Sequence, residues 1–256
     1  MPNFVYSFEE FLNEGMLFEG TMRTDNRLSE KQQEKYNQLK TEFLQKQIDL
    51  CKKHGVKCFL EYGTLLGFHR DGGHIDNDND TDLGIIGSTV TQEFLEDIEK
   101  EFLLLRPKNI KGVIKDMFTD EKGGDDYHEI PYIGIAYKNS KGQPYSVKSV
   151  KGKNVNVVGD FFFYYPYTGN KFITRWPGWE VQLTPDNYFK RLSKLKIGGY
   201  EYPIPSKTDE YLEYIYGEDW KTPQSNAGVN QKLEFISREE GHAYAYSHSQ
   251  KDFKKK

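Results

Sequence analysis

Aspartate occupies every second position from Asp76 to Asp82, and directly afterwards the chain turns apolar, through Leu83, Gly84, Ile85 and Ile86. Along an extended strand alternate side chains share a face, so Asp80 and Asp82 project together, roughly 6.5 to 7 Å apart at Cα. Thr81, Leu83 and Ile85 then turn towards a core. Two adjacent carboxylates entering a folded surface repel and hold their protons to unusually high pH unless a cation sits between them. A divalent metal resolves that conflict. A calcium loop is the first alternative, because Asp76, Asp78 and Asp80 match the opening of an EF-hand. It fails further on: Thr81 stands where the turn needs glycine, and Gly87 where a bidentate glutamate is needed. A solvated acidic turn carries the same alternation, but it has no reason to lead straight into an apolar strand.

A metal clamp for phosphate transfer draws a further carboxylate from a neighbouring strand. Asp160 is the candidate, as the single charge in NVNVVGDFFFYYPY, a segment otherwise apolar enough for a central strand. An unpaired carboxylate buried there would cost several kcal/mol. The alternative is that Asp160 caps a bulge at Gly159 and bonds backbone amides. Asp125, Asp126 and Glu129 flank a glycine-rich turn and read as surface. Upstream, Gly63 and Thr64 follow a short strand and open a helical segment, so their backbone amides can receive a phosphate at the positive end of that helix. Arg70, at the far end of the same segment, can clamp a nonbridging oxygen or pair on the surface with Asp71. His69 and His74 read as solvent-edge residues.

The full chain has 256 residues with 35 Lys+Arg against 39 Asp+Glu, a net charge of −4. That balance excludes a protein whose business is neutralising nucleic-acid phosphates. With 18 Tyr and 17 Phe against a mean hydropathy of −0.78, much of the core must be built from rings. Cys51 and Cys58 have neither a disulfide framework nor zinc-site spacing and read as reduced thiols. The acidic N-terminal stretch and the lack of an apolar run near the roughly 20 residues that span a bilayer point to a cytoplasmic protein. The basic tail KDFKKK allows peripheral membrane contact at most.

The pattern predicts a helix over 29–54 with Ser29 as cap and Tyr36, Leu39, Phe43, Ile48 and Cys51 near one face. A strand follows over Lys57–Tyr62, then the helical segment from Gly63, the acidic strand, and a helix over 89–105. From 111 to 165 the period shortens to two, which reads as an antiparallel meander including VIKDMF. TPDNYFKRL reads as a helix capped by Thr184, the region near 195 to 200 as a strand, YPIP as extended, and TDEYLEYIYG as a helix closed by Gly217. Without repeats or linkers, one α+β domain over 1–256 is expected.

Three segments, in order, resemble the LicD/fukutin phosphotransferases, a branch of the nucleotidyltransferase superfamily. They are FLEYGTLLGFHRDGGHIDNDNDTDLGI, GDFFFYY and YPIPSKTDEYLEYIYGEDWKTP. The resemblance spans roughly residues 56 to 223, flanked by an N-terminal extension (1–28) and a tail (224–256). It implies a nucleotidyltransferase-like mixed β-sheet with flanking helices, extended by the meander and C-terminal helices. It further implies Asp80 and Asp82 as paired metal ligands, Asp160 as the third acid, Asp78 as an outer ligand, Gly63 and Thr64 as the phosphate turn, and Arg70 as the family's arginine. Asp71 after that arginine, and Ile75 to Asp78 in place of a tryptophan segment, depart from the family pattern.

The activity implied is transfer of an alcohol-phosphate or amino-alcohol-phosphate, such as phosphocholine or ribitol phosphate, from a CDP-linked donor to a sugar hydroxyl of a surface glycan or glycolipid, with release of CMP. Magnesium or manganese would offset charge on the diphosphate. Asp160 is one candidate for accepting the acceptor's proton. Lys171 and Arg175 are candidates for the donor phosphate, and Tyr164, Tyr165, Trp176 and Trp179 for stacking on sugar or base. Two other readings remain: a glycosyltransferase using these aspartates on a nucleotide-sugar, and a non-enzymatic, metal-stabilised glycan-binding module.

Overall fold

The computed structural model describes residues 27–76, 78–107, 109–111, 113–114, 132–175, 181–223, 233–237 and 240. The chain enters through helix α1 (Glu30–Lys53), whose start is fixed by the Ser29 backbone N–H donating to Gln32 Oε1 at 2.8 Å. Its buried stripe runs Tyr36, Lys40, Phe43, Leu44, Gln47, Ile48 and Cys51. The period is the expected one, but Lys40 and Gln47 lie inside with the apolar residues.

Strand β1 (Cys58–Leu60) is followed at once by helix α2 (Tyr62–Arg70), and β2 (Asp82–Ile86) pairs back on β1. Helix α3 (Gln92–Glu101) is capped by Thr91, whose Oγ1 accepts from Phe94 N–H at 3.2 Å, and it buries Phe94, Leu95 and Ile98. It is shorter than the expected 89–105. Residues Gly87–Thr89 form a single 3-10 turn, and Leu103–Arg106 leave the helix as strand β3, paired on β4 (Tyr132–Ala136). Lys111, Val113 and Ile114 are helical where alternation predicted extended chain; the rest of VIKDMF lies outside the described residues.

Strand β7 (Val158–Tyr167) organises the sheet. One edge pairs in parallel with β2; the other pairs antiparallel with β4 along its first half and with β8 (Lys171–Arg175) along its second. Strand β9 (Val181–Pro185) and β12 (Glu234–Ile236) complete an eight-stranded mixed sheet. The short hairpin β5 (Ser146–Lys148) and β6 (Asn154–Asn156) stands apart, so the expected meander is interrupted, and β7 rejoins the sheet beside β2.

The expected helix capped by Thr184 is absent. Thr184 precedes Pro185, which pushes its backbone to the extended region, and both residues belong to β9; only Asp186–Tyr188 turns, as 3-10. Residues near 195 to 200 form a hairpin, β10 (Leu192–Ile197) with β11 (Tyr200–Pro205). Helix α4 (Thr208–Tyr216) packs Tyr211, Leu212 and Ile215 inward and ends at Gly217 with φ +99°.

The core is ring-built as composition demanded. Phe59 stacks on Phe189 at 4.5 Å, Tyr164 lies 5.3 Å from Phe59, and Phe43 stacks on Tyr137 at 5.3 Å. Such pairs contribute about 0.5 to 1.5 kcal/mol each beyond area burial. Cys51 and Cys58 are buried free thiols.

Candidate active site

The parallel register sets Asp82 opposite Asp160 and Leu83 opposite Phe161. Register partners point to one face, so the two carboxylates rise side by side. Asp80 reaches them from the segment just ahead of β2, which is laced to β7: Thr81 N–H donates to Val158 O at 3.2 Å, and Asp160 N–H to Thr81 O at 2.9 Å. One carboxylate oxygen from each of Asp80, Asp82 and Asp160 lies within 4.8 Å of the others. The chain thus brings together acids that are 160 − 82 = 78 positions apart.

Burial pushes the Asp80 and Asp82 carboxyls well above the usual range, and the neighbouring carboxylates push both the same way. Asp160 is raised to about 6, chiefly by burial, while a hydrogen bond with Tyr132 and the charge of Arg106 pull it down. An all-oxygen donor set under mutual repulsion fits a hard divalent cation, so Asp80, Asp82 and Asp160 could hold a metal ion. The Asp160 carboxylate also depends on its cross-strand partner. A Cβ on Gly134 would come within 3.1 Å of Asp160 Oδ1.

Asp78 stands behind this trio. It is buried, and Lys40, with no exposed side-chain surface, lies 3.5 Å from its Oδ2 and donates to its backbone O at 3.0 Å. Tyr36 on the same helix face has its hydroxyl 2.8 Å from Asn79 O and 2.9 Å from Asn156 O. Sequence reasoning put Tyr36 on the packed face of this helix but did not assign its hydroxyl a role, and it missed Lys40. A lysine inside an amphipathic helix reads as solvated, and the one available signal was that Tyr36, Lys40 and Phe43 share a face.

Gly63 and Thr64 open α2 as expected. Asp78 Oδ2 lies 3.4 Å from where a Gly63 Cβ would be. Thr64 is fully buried and its Oγ1 accepts from Asp82 N–H at 2.8 Å, so its side chain fixes the backbone of a site aspartate. Tyr62, the first residue of α2, has φ +41°, a strained conformation for a bulky residue. Its ring packs edge-on against Phe162 at 4.9 Å, and its hydroxyl donates to Gln182 Oε1 at 3.2 Å. Glu61 just before it is fully buried and accepts from Tyr211 OH at 2.5 Å.

The cationic candidates lie elsewhere. Arg70 forks onto Asp71, with Nε 2.9 Å from Oδ1 and Nη2 2.8 Å from Oδ2, and reaches Trp220 O at 3.4 Å. Lys171 sits opposite Tyr167, seven residues along β7 from Asp160, about 23 Å of strand, and pairs with Glu234. Arg175 ends β8 opposite Val181. Tyr164 and Tyr165 are buried in the core, where packing accounts for them. His69 pairs with Asp209 at 2.6 Å; His74 Nε2 lies 3.1 Å from Thr41 Oγ1. Trp176, Trp179, Asp125, Asp126 and Glu129 lie outside the described residues.

A mixed sheet with flanking helices is the architecture the family resemblance implied. The family model described as LicD/FKTN/FKRP, nucleotidyltransferase domain, matches residues 55–207, and the chain belongs to this family. It is 26% identical over 187 residues to the ribitol-5-phosphate transferase FKTN of Mus musculus, and equally to those of Macaca fascicularis and Homo sapiens. The match covers 71% of this chain and 33% of each relative, so the chain spans about a third of their length. Among solved structures, the lincomycin-bound lincosamide antibiotic adenylyltransferase LnuA aligns with a TM-score of 0.36 and 13% identity, over 73% of this chain and 86% of that one. Among the described residues, no helix is long and apolar enough to cross a membrane.

Proposed function

We propose that this chain is a catalytic domain that transfers an alcohol-phosphate or amino-alcohol-phosphate from a CDP-linked donor to a sugar hydroxyl of a glycan or glycolipid, releasing CMP. The observation that carries this reading is the convergence of Asp80, Asp82 and Asp160 to within 4.8 Å; family membership supports it.

Asp80, Asp82 and Asp160 would hold a magnesium or manganese ion, with Asp78 as the outer acid. The chemistry that ion supplies when bound is neutralisation of the donor's diphosphate. The amides of Gly63 and Thr64 present the positive end of α2 to a donor phosphate. The acceptor hydroxyl oxygen bonds to the phosphorus that carries the alcohol, the bond from that phosphorus to the bridging oxygen breaks, and CMP leaves with the electron pair. Asp160 is the candidate for accepting the hydroxyl proton. Arg70 would reach the donor by exchanging its Asp71 partner for phosphate, and Arg175 is the other candidate.

CDP-choline, CDP-ribitol and CDP-glycerol, each with magnesium, should raise the melting temperature, and at least one should release CMP when a glycan acceptor is added. Release of UDP or GDP from nucleotide-sugars instead would establish a glycosyltransferase. Glycan binding with no nucleotide effect would establish a binding module.

A further inference from the structure

A diphosphate seated on three acids calls for positive charge of the protein's own. Arg70 and Lys171, both expected to supply it, are each paired with a carboxylate, Arg70 with Asp71 and Lys171 with Glu234. Arg106, which nothing in the sequence singled out, is the cation that the sheet sets beside the trio.

Strand register carries it there. Asp160 on β7 lies opposite Gly134 on β4, and Gly134 lies opposite Arg106 on β3. Register partners share a face, so Arg106 stands on the face that carries Asp160, two strands over and roughly 9 to 10 Å away at the backbone. Leu104, the partner of Ile135, belongs to the opposite face and packs on the core. The register shifts between Leu104 and Arg106, and such a bulge re-aims the side chain at the irregularity. Leu105 comes round to the acid side in this way.

The residue between arginine and acid is a glycine. The place a Gly134 Cβ would take lies 3.1 Å from Asp160 Oδ1, 3.7 Å from Leu105 Cβ and 3.8 Å from Arg106 N. No Gly134 side chain therefore screens the arginine from the carboxylate. The strip is also open to solvent, since Arg106 is exposed and Leu105 is 51% exposed. Among the described residues, no carboxylate lies within ion-pair distance of the Arg106 guanidinium, yet its charge pulls the Asp160 carboxyl down.

A positive fork near the acids, separated from them by a gap without a side chain, suits an anion that bridges the two. We propose that Arg106 binds a phosphate of the donor and holds the diphosphate against the acid trio. The identity of that donor rests on the function proposed above. A guanidinium is suited to the task because its parallel N–H groups meet two phosphate oxygens at once.

Titration calorimetry on the full chain tests this, with CDP and with inorganic pyrophosphate, each in magnesium. At least one should bind, and Arg106→Gln should weaken it roughly tenfold or more. Arg106→Lys keeps the charge without the fork and should recover only part of that affinity; should Arg106→Gln not fold, a drop in Arg106→Lys against wild type carries the test. Manganese titrated without nucleotide should bind Arg106→Gln at least as well as wild type, because a positive charge near the acids has gone. The urea midpoint should stay where it is. No binding of either ligand to wild type, or equal affinity in wild type and the folded variants, overturns the proposal. A joint fall in manganese affinity and urea midpoint overturns it too, since that marks a structural arginine. In the CMP-release assay the donor KM should rise in Arg106→Gln. Weakened CDP or pyrophosphate binding with no CMP released from any CDP-linked donor leaves the arginine assignment standing and removes the phosphotransferase reading. CMP release with an unchanged donor KM does the reverse.

Discussion

Asp82 and Asp160 are register partners across a parallel strand pair, so their closeness is set by backbone hydrogen bonds and does not rely on flexible loops. With Asp80 they form a repulsive trio that the fold tolerates because α1, α2 and the sheet hold its frame. Asp80→Asn or Asp82→Asn should lower CMP release by at least about 10²-fold. In a chelator the same variants should melt higher than wild type by about 2–4 °C per kcal/mol of repulsion relieved, and magnesium should then stabilise them less. A thermal scan with and without magnesium reads both effects.

Gly134→Ala tests how tightly Asp160 is placed. The added methyl would crowd Asp160 Oδ1 at 3.1 Å, and the carboxylate must rotate to relieve it. Metal affinity should drop about 10–100-fold, measured by manganese titration, while the urea midpoint moves little.

Lys40→Met removes the buried cation that faces Asp78. The cost should be about 3–5 kcal/mol by urea denaturation, because a buried carboxylate is left unpaired. Adding Asp78→Asn should recover a large part of that loss. A surface ion pair would show under about 1 kcal/mol and no such recovery.

Glu61 gives the pH dependence. Burial raises its carboxyl from 4.5 to about 8, against hydrogen bonds from Tyr211, the Tyr62 backbone and Tyr164. The folded protein therefore keeps a proton that the unfolded chain gives up. Its contribution is complete below about pH 4.5, falls as pH rises, and is gone above about 8. Glu61→Gln keeps an acceptor for the Tyr211 hydroxyl and should flatten the loss of stability between about pH 5 and pH 8, as followed by denaturant unfolding at several pH values.

The site was legible in sequence to the extent that burial makes charge conspicuous. Asp160 stands out as the single charge in an apolar run, and Asp80 and Asp82 by alternation into a strand. Lys40 does not, since nothing local separates a buried lysine from its solvated neighbours on α1. Helices α1, α3 and α4 followed from their periodicity, whereas Leu103–Leu105 read as more helix and became β3 because a strand edge was there to pair with. Pro185 was a local signal against the helix expected at Thr184. The parallel pairing of β2 with β7 is nonlocal, and no pattern in either strand announces it.

Helix α1 ends at Lys53, before the matched segment begins at residue 55. Yet that helix delivers the ammonium beside Asp78 and the phenol against Asn79, and α4, past residue 207, delivers the phenol on Glu61. Expression trials trimmed to the recognisable segment would therefore discard the braces of the acidic loop at one end and a partner of its buried acid at the other. The smallest competent piece should start no later than Arg27 and run through β12, which completes the sheet.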